Sequence, residues 1–366
     1  MIPFLDLKAI YDELKPELDE AYERVMRSGW FVLGKEVEAF ESEYAAYCGT
    51  EHCVGLGNGL EALELVLRGW NIGAGDEVIV PSNTYIATWL AVTAVGATVV
   101  PVEPTPGGPN IDPERIAAAI TPRTRAIMPV HLYGEPADME AIMALADRHG
   151  LKVVEDVAQA QGARWRGRRT GALGHAGAHS FFPTKNLGAT GDAGAVTTDD
   201  AVLAERLRVL RNYGSRVKYV NIERGFNSRL DEMQAAFLRV KLARLDAWND
   251  RRRVLAARYS DKLRDVPGLA LPRPPQWAEP VWHLYVVRAD RRAALMAGLE
   301  KAGIGSLIHY PIPPHLQQAY ADLGQGAGTY PLAERLAETV LSLPIGPHLP
   351  VESVDEIAAA VRAALT

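Results

Sequence analysis

The chain has 366 residues, of which 48% are hydrophobic and 23% are charged. This composition can bury a large core and excludes a disordered or fibrous protein. The length predicts about two domains, with a single large domain plus a smaller tail equally allowed. The formal net charge is −6 and the basic residues are spread along the chain, which argues against nucleic-acid binding. No apolar run approaches the roughly 18 residues that a membrane span needs, so no membrane partner is expected.

The cysteines and the N-terminus indicate the cellular compartment. Cys48 and Cys53 are the only two cysteines, which suits a reducing cytoplasm. A redox pair is the alternative, weakened because four residues separate them instead of two. The sequence starts without the basic and then apolar stretch of a targeting segment. We therefore expect a cytoplasmic protein.

The first half of the chain alternates short apolar runs with helical patterns between residue 52 and about residue 200. The runs are too continuously apolar for a half-exposed antiparallel sheet, and helical crossovers separate the first five. The sequence therefore predicts an α/β domain with a sheet covered on both faces. The predicted strands are 52–57, 77–80, 98–102, 125–130, 152–157, 178–182 and 194–198.

The second half predicts a different organisation. Residues 228–265 carry apolar side chains at helical spacing without Pro or Gly, which predicts one long helix. A Pro-rich linker and a small α+β domain follow, with strands over 282–287 and 306–310, a helix over 291–302, and two further helices separated by 341–343. The predicted units are a large domain with an N-terminal helical segment (1–228), a connecting helix (229–266) and a small C-terminal domain (267–366).

Lysine is scarce, with nine residues against thirty arginines, and this narrows the search for an amine nucleophile. Lys185 stands out because an apolar strand gives way there to a loop of glycines and small residues, and α/β sheets place their sites at strand ends. A surface lysine in a turn is the alternative. Six other lysines lie in helical patterns and are predicted to be solvated: Lys8, Lys15, Lys35, Lys241, Lys262 and Lys301.

Asp156 ends a predicted apolar strand, where a carboxylate is costly to bury without a cation, a metal or several donors. The neighbouring Glu155 points to the opposite face of the strand, so the two do not form a paired acid and base. This pattern alone leaves a helix cap or salt bridge and a site role equally open.

A third motif, Gly57-Asn58-Gly59, leads from a strand directly into a helix, whose start favours an anion such as phosphate. The glycine spacing G-x-G-x-G and the absence of an acidic residue at the end of the second strand disfavour a nicotinamide dinucleotide. No Cys/His cluster has zinc spacing and no G-x-S-x-G motif occurs, so we predict neither a metal site nor a serine hydrolase.

A loop lysine, a carboxylate ending the preceding strand and an anion-binding helix start are the parts of a pyridoxal phosphate site. The lysine can bind the cofactor as a Schiff base, the carboxylate can keep the ring nitrogen protonated, and the helix start can bind the phosphate. Composition and spacing support this as a hypothesis only.

Motifs along nearly the whole chain resemble the DegT/DnrJ/EryC1/StrS family of pyridoxal-phosphate aminotransferases acting on nucleotide-linked sugars. They are PFLDL at 3–7, GWFVLG at 29–34, GNG at 57–59, PSNTY at 81–85, VHLYG at 130–134, EDVAQA at 155–160, the stretch 180–192, GFNSRLDE at 225–232 and HYP at 309–311. The resemblance implies an aspartate-aminotransferase-like fold (fold type I), with a mostly parallel seven-stranded sheet in the large domain and a small α+β C-terminal domain.

The resemblance also implies residue roles. Lys185 holds the cofactor and moves the proton, and Asp156 pairs with the pyridine nitrogen. The other implied cofactor contacts are Gly57, Asn58, Gly59 and Ser180 at the phosphate, Tyr85 stacked on the ring, Gln159 at the ring hydroxyl side, and Asn227 reaching the phosphate of the neighbouring subunit. Because the family's site lies between two subunits, a homodimer with shared active sites is implied.

Two stretches, 182–189 and 214–221, resemble enzymes that aminate a 3-keto-6-deoxyhexose on thymidine diphosphate. The resemblance thus favours a dTDP-linked 3-keto sugar over a 4-keto sugar, with glutamate as donor by family habit. The candidate substrate contacts are Lys218, Tyr219, His309 and Tyr310, and a solvated loop lysine and a packed tyrosine are the alternatives for Lys218 and Tyr219. Gln161 departs from the family, which commonly has histidine there.

Three other functions are weighed against the transaminase. A related branch that dehydrates its sugar has histidine in place of Lys185, so Lys185 argues against a dehydratase. A dehydrogenase fails on the glycine spacing. A cofactor-holding regulatory protein is disfavoured because no DNA-binding module is appended.

Overall fold

The computed structural model of the protein describes residues 1–365. Its α-helices are α1 (Leu7–Ser28), α2 (Lys35–Cys48), α3 (Gly59–Gly69), α4 (Ile86–Ala94), α5 (Pro113–Ala119), α6 (Met139–His149), α7 (Ala201–Leu210), α8 (Glu232–Leu242), α9 (Leu245–Leu263), α10 (Arg292–Lys301), α11 (Pro331–Thr339) and α12 (Ser353–Leu365). Its strands are β1 (His52–Leu56), β2 (Glu77–Pro81), β3 (Thr98–Val102), β4 (Thr124–Ile127), β5 (Lys152–Asp156), β6 (Arg164–Trp165), β7 (Arg168–Arg169), β8 (Ala176–Ser180), β9 (Gly194–Thr198), β10 (Ser215–Val217), β11 (Val220–Asn221), β12 (Leu269–Ala270), β13 (Ala278–Glu279), β14 (Tyr285–Ala289) and β15 (Val340–Leu343). Short 3-10 segments cover Leu132–Gly134, Pro314–Leu316 and Gln318–Leu323.

The seven predicted strands of the large domain form one sheet in the order β1-β9-β8-β5-β4-β2-β3. Only β9 runs antiparallel to its neighbours β1 and β8, and the other four pairings are parallel. The predicted mostly parallel α/β sheet is therefore confirmed. Since β1, β2, β5 and β8 run in the same direction, their carboxyl ends meet at one edge, where α/β sheets place their sites.

Helices cover both faces of this sheet because its strands are apolar on both sides. Val78 and Val80 of β2 pack with Trp89 of α4, whereas Ile79 between them packs with Ile142 of α6 on the other face. Side chains that alternate in direction along a strand produce these two separate cores.

The single long helix predicted over 228–265 is wrong. Two helices, α8 and α9, are separated by Ala243 and Arg244. The first packs against α1 and α2 of the large domain, whereas Leu255 and Tyr259 of α9 belong to the core of the small domain. The break lets the two helices bury differently directed faces, and hydrophobic spacing alone does not reveal it.

The small domain contains the antiparallel sheet β12-β14-β15, and α9 and α10 pack with α12 beside it. The strand predicted over 306–310 is wrong, because that segment makes one isolated bridge, between Leu307 and Ser342. Its polar groups find other partners: the carbonyl of His309 accepts a hydrogen bond from the Tyr133 hydroxyl of the large domain. The predicted linker contributes β12 and β13.

The domain boundaries at residues 228 and 266 stay a prediction, and residue 366 lies outside the described residues. Among residues 1–365, no helix combines the length and the apolar character that crossing a membrane requires.

Leu255 tests the packing of α9 into the small domain. It is 1% exposed, whereas its neighbour Val254 is 55% exposed. Leu255→Ala should lower the free energy of unfolding by about 2–5 kcal/mol, because it removes buried methyl groups and leaves a cavity. Val254→Ala should change it by no more than about 0.5 kcal/mol. Urea denaturation measures both, and equal losses would contradict this placement of α9.

Candidate active site

Four predicted site residues meet where the sheet strands end. Asp156 and Ser180 are the last residues of β5 and β8, and Gly57 directly follows β1. Lys185 lies on the loop that connects β8 to β9. The strand order places β8 beside β5 and beside β9, which in turn pairs with β1, so this edge gathers the lysine, the carboxylate and the glycine turn.

The loop that carries Lys185 folds back on itself. The amide of Lys185 donates to the carbonyl of Phe182 at 2.8 Å, and the amide of Ala189 donates to the carbonyl of Phe181 at 2.7 Å. Gly188 is required here because a Cβ on it would collide with the backbone of Pro183. Lys185 thus lies on a tightly closed segment.

The Lys185 amine has a lowered pKa. Burial lowers its pKa to about 8, and the charge of Asp156 partly opposes this effect. A larger fraction of the amine is therefore neutral at pH 7 than in an ordinary lysine. A neutral amine is the form that attacks a carbonyl.

Asp156 meets several donors, as its position in the sequence requires. It is 6% exposed. The Thr88 hydroxyl donates to Oδ2 at 2.9 Å, and the amide of Ala158 donates to Oδ1 at 3.1 Å. Burial raises the pKa of Asp156, whereas these donors and the charge of Lys185 lower it. The protonated ring nitrogen of pyridoxal phosphate would be a suitable cationic partner for this buried carboxylate.

Glu155 turns away from the site, as predicted from strand alternation. Its buried carboxylate accepts hydrogen bonds from three backbone amides, those of Gly171, Leu173 and Gly174, and from His131 Nε2 at 2.8 Å. The donation from His131 holds the pKa of Glu155 below its ordinary value against the cost of burial. Glu155 therefore fixes β5, which carries Asp156.

The start of α3 fits a phosphate group. Asn58 caps the helix by accepting from the amide of Glu61 at 2.9 Å. Gly59 lies so close to Ser180 that a Cβ on it would be 2.5 Å from the Ser180 Cβ. The positive end of the helix and the Ser180 hydroxyl therefore adjoin, as a phosphate requires. The Glu61 carboxylate, which would oppose an anion, accepts a hydrogen bond from Ser228.

Two aromatic side chains, Tyr85 and Tyr310, lie together at the site. The rings of Tyr85 and Tyr310 lie 5.2 Å apart, and Gln159 Nε2 donates to the Tyr310 hydroxyl at 2.9 Å. Burial and the nearby Lys185 charge lower the pKa of His309 to about 4. Two of the four predicted substrate residues, His309 and Tyr310, are thus brought to the site.

The other two predicted substrate residues, Lys218 and Tyr219, do not lie at the site of Lys185 and Asp156 within one chain. Neither does Asn227. Lys218 and Tyr219 form the tip of the β10–β11 hairpin, with the Lys218 amine 5.1 Å from the Tyr219 ring centre. Tyr219 is 87% exposed, and Asn227 is also exposed. None of the three has a described contact with Lys185 or Asp156 in residues 1–365. Their predicted roles stay predictions.

One lysine was predicted wrongly, and several supporting residues were missed. Lys241 is 7% exposed instead of solvated, and it donates to the carbonyl of Gly188 at 2.7 Å because α8 packs against the Lys185 loop. Burial lowers its pKa to about 8. The residues missed were Thr88, His131 and Asn186. The positions of His131 in the motif VHLYG and of Asn186 in the stretch 180–192 were the available signal.

Gln161 also supports the site. At the position where histidine is common in the family, its Nε2 donates to the carbonyls of Ser180 at 2.6 Å and Ala158 at 3.3 Å. The amide therefore links the segments that follow Asp156 and that end β8. Among residues 1–365, no group of His, Cys, Asp and Glu has the arrangement of a metal site.

Gly59 tests the phosphate site. Gly59→Ala should weaken pyridoxal phosphate binding at least tenfold and lower the free energy of unfolding by about 1–3 kcal/mol, because the new methyl group displaces Ser180. Gly326→Ala is the matched control, since a Cβ there meets nothing within 4 Å. Fluorescence titration of the apoenzyme measures the affinity. Unchanged affinity in Gly59→Ala would contradict the assignment.

Comparison with known proteins gives consistent results. The model of the DegT/DnrJ/EryC1/StrS aminotransferase family matches residues 12–362. The chain is 59% identical to the erythromycin biosynthesis sensory transduction protein EryC1 of Saccharopolyspora erythraea, over 99% of each chain. It is 58% identical to the dTDP-3-amino-3,4,6-trideoxy-alpha-D-glucose transaminase of Streptomyces venezuelae, covering 99% of this chain and 95% of that one.

Solved structures agree with these sequence relatives. The crystal structure of S. venezuelae DesV in complex with a ketimine intermediate superimposes with a TM-score of 0.98 at 58% identity, covering 99% of this chain and 98% of that one. The structure of ntda from Bacillus subtilis with bound cofactor pmp has a TM-score of 0.92 at 32% identity, covering 100% of this chain and 85% of that one.

Proposed function

The chain belongs to the DegT/DnrJ/EryC1/StrS aminotransferase family, and we propose that it transfers the amino group of glutamate to C3 of a dTDP-linked 3-keto-6-deoxyhexose. The broader prediction, a pyridoxal-phosphate-dependent sugar aminotransferase, is confirmed by the family match and the relatives. The observation that carries the chemistry is the Lys185 amine, with its lowered pKa, beside the buried Asp156.

In this proposal, different residues of the chain have different roles toward the cofactor. When bound, pyridoxal phosphate supplies a carbonyl for the amino group and a ring that accepts electrons. The Lys185 amine binds that carbonyl and carries the proton to and from the reacting carbon. The Asp156 carboxylate holds a proton on the ring nitrogen. Ser180 and the start of α3 would hold the phosphate and so would fix the orientation of the cofactor.

The finer choice of acceptor rests on the relatives. The transaminase of S. venezuelae that is 58% identical is named for a dTDP-3-amino sugar, which supports amination at C3. A 4-keto acceptor is the alternative. The intact pair of Lys185 and Asp156 supports catalysis over a purely regulatory role, and Lys185 itself disfavours dehydration.

The acceptor is tested by locating the new bond. Enzyme loaded with glutamate should convert a 3-keto dTDP sugar, and NMR should find the new C–N bond at C3. The free hexose should react poorly, because it lacks the diphosphate whose binding orients the ketone. Lys185→Ala should abolish the reaction and Lys301→Ala, on an exposed helix position, should preserve it. Amination at C4 alone would overturn the choice of sugar, and activity in Lys185→Ala would overturn the assignment of the lysine.

We also propose a homodimer in which Asn227 reaches the phosphate in the partner's site, with Lys218 and Tyr219 meeting the sugar nucleotide there. The exposure of all three on one chain and the family resemblance support this. The exposed apolar side chains near them, including Tyr213 at 50% and Val217 at 64%, also suit a covered surface.

Mixed dimers test the shared site. Lys185→Ala and Asn227→Ala chains should each be inactive, and a mixture should recover about a quarter of the native activity, because half of the dimers are mixed and each mixed dimer has one complete site. Two distinguishable tags verify that mixed dimers form. If they form without activity, Asn227 does not act across the dimer.

A further inference from the structure

Asn186, the residue after Lys185, is held by three hydrogen bonds from two other parts of the chain. It is 5% exposed. Its Nδ2 donates to Asn249 Oδ1 at 2.8 Å and to the carbonyl of Val281 at 3.0 Å, and its Oδ1 accepts from His283 Nδ1 at 3.1 Å. The partners come from α9 and from the segment leading into β14. The groups that hold Asn186 in place therefore lie outside the Lys185 loop.

Asn249 is the inner member of the network. It is fully buried on α9, and its Nδ2 donates to the carbonyl of Gln161 at 3.0 Å. One amide of α9 thus bonds both to the residue after Lys185 and to the segment that follows Asp156. Because buried amides keep their partners, this arrangement sets the position of one segment relative to the other.

The position of the loop decides what surrounds the Lys185 amine. Asp156 faces it from β5, His309 from the small domain, and His283 from the segment before β14, with the buried Arg252 of α9 beside His283. Burial lowers the pKa of both histidines and so keeps them neutral. A loop free to move outward would return the amine to water, where its protonated form is favoured.

We propose that Asn249 is a positioning residue for Lys185: through the amide of Asn186 it holds the reactive amine inside the site and beside Asp156. Asn249 has no described contact with Lys185 itself. The proposal rests on the assignment of Lys185 as the cofactor-binding lysine, and it is independent of which sugar is aminated.

The pH titration of the holoenzyme tests this proposal. Its visible absorbance reports protonation of the nitrogen that joins Lys185 to the cofactor. In Asn249→Ala the midpoint should rise by about one pH unit, because the nitrogen becomes more exposed to water. The matched control is Tyr259→Phe, which removes a different buried hydrogen bond of α9, the one to the carbonyl of Pro344 at 2.7 Å. That variant should keep the native midpoint.

A second variant and a second readout separate positioning from loss of fold. Asn249→Leu keeps a similar volume without the hydrogen bonds and should show the same rise. In the cofactor-free chain, the rate of Lys185 acetylation is followed by mass spectrometry as a function of pH, and the pH at which it reaches half of its limiting value should rise by about one unit, because the amine pKa rises as the amine becomes exposed to water. A folded Asn249→Leu variant with the native midpoint and the native pH dependence of acetylation would overturn the proposal. If Lys185→Ala still forms the visible band, the proposed function fails instead.

Discussion

The Lys185 amine and the Asp156 carboxylate interact electrostatically at the edge of the sheet, and the rest of the site depends on keeping them close. Each charge lowers the cost of burying the other, although burial still moves the pKa of the lysine down and that of the aspartate up. Hydrogen bonds from Thr88 and Ala158 stabilise the carboxylate. The surrounding hydrogen bonds mainly fix the positions of the two charged groups and add no further charge of their own.

The strand order brings two segments that are distant in the sequence together at this site. Residues 156 and 185 are 29 positions apart, and they meet because β5 and β8 are adjacent and parallel. Glu155, one residue before the aspartate, ties β5 to His131 and to the turn at residues 171–174. One of two successive carboxylates therefore holds the strand in place, and the other interacts with the charge of Lys185.

The sheet could be predicted because apolar runs and turn residues are local signals, and the predicted strands 98–102 and 194–198 have the observed bounds. Lys185, Asp156 and the glycine turn could be chosen for a similar reason, since Asp156 ends a strand and the other two lie in segments that follow one. The break between α8 and α9 and the burial of Lys241 could not be predicted, because both depend on which surface packs against the helix. Lys218 and Tyr219 differ again: both are exposed in a single chain, so the structure of one chain leaves their predicted roles as predictions.

The antiparallel direction of β9 has a consequence for how the chain tolerates cutting. A parallel neighbour of β8 would be reached through a long crossover, usually a helix. Here the chain returns after thirteen residues, 181–193, and the amide of Phe181 still bonds to the carbonyl of Ala193 at 2.8 Å. Lys185 is therefore attached to the sheet from both directions over a short span. New chain ends made by proteolysis or by circular permutation would be harmless at many surface turns, but a cut in this span would leave the lysine attached from one side only.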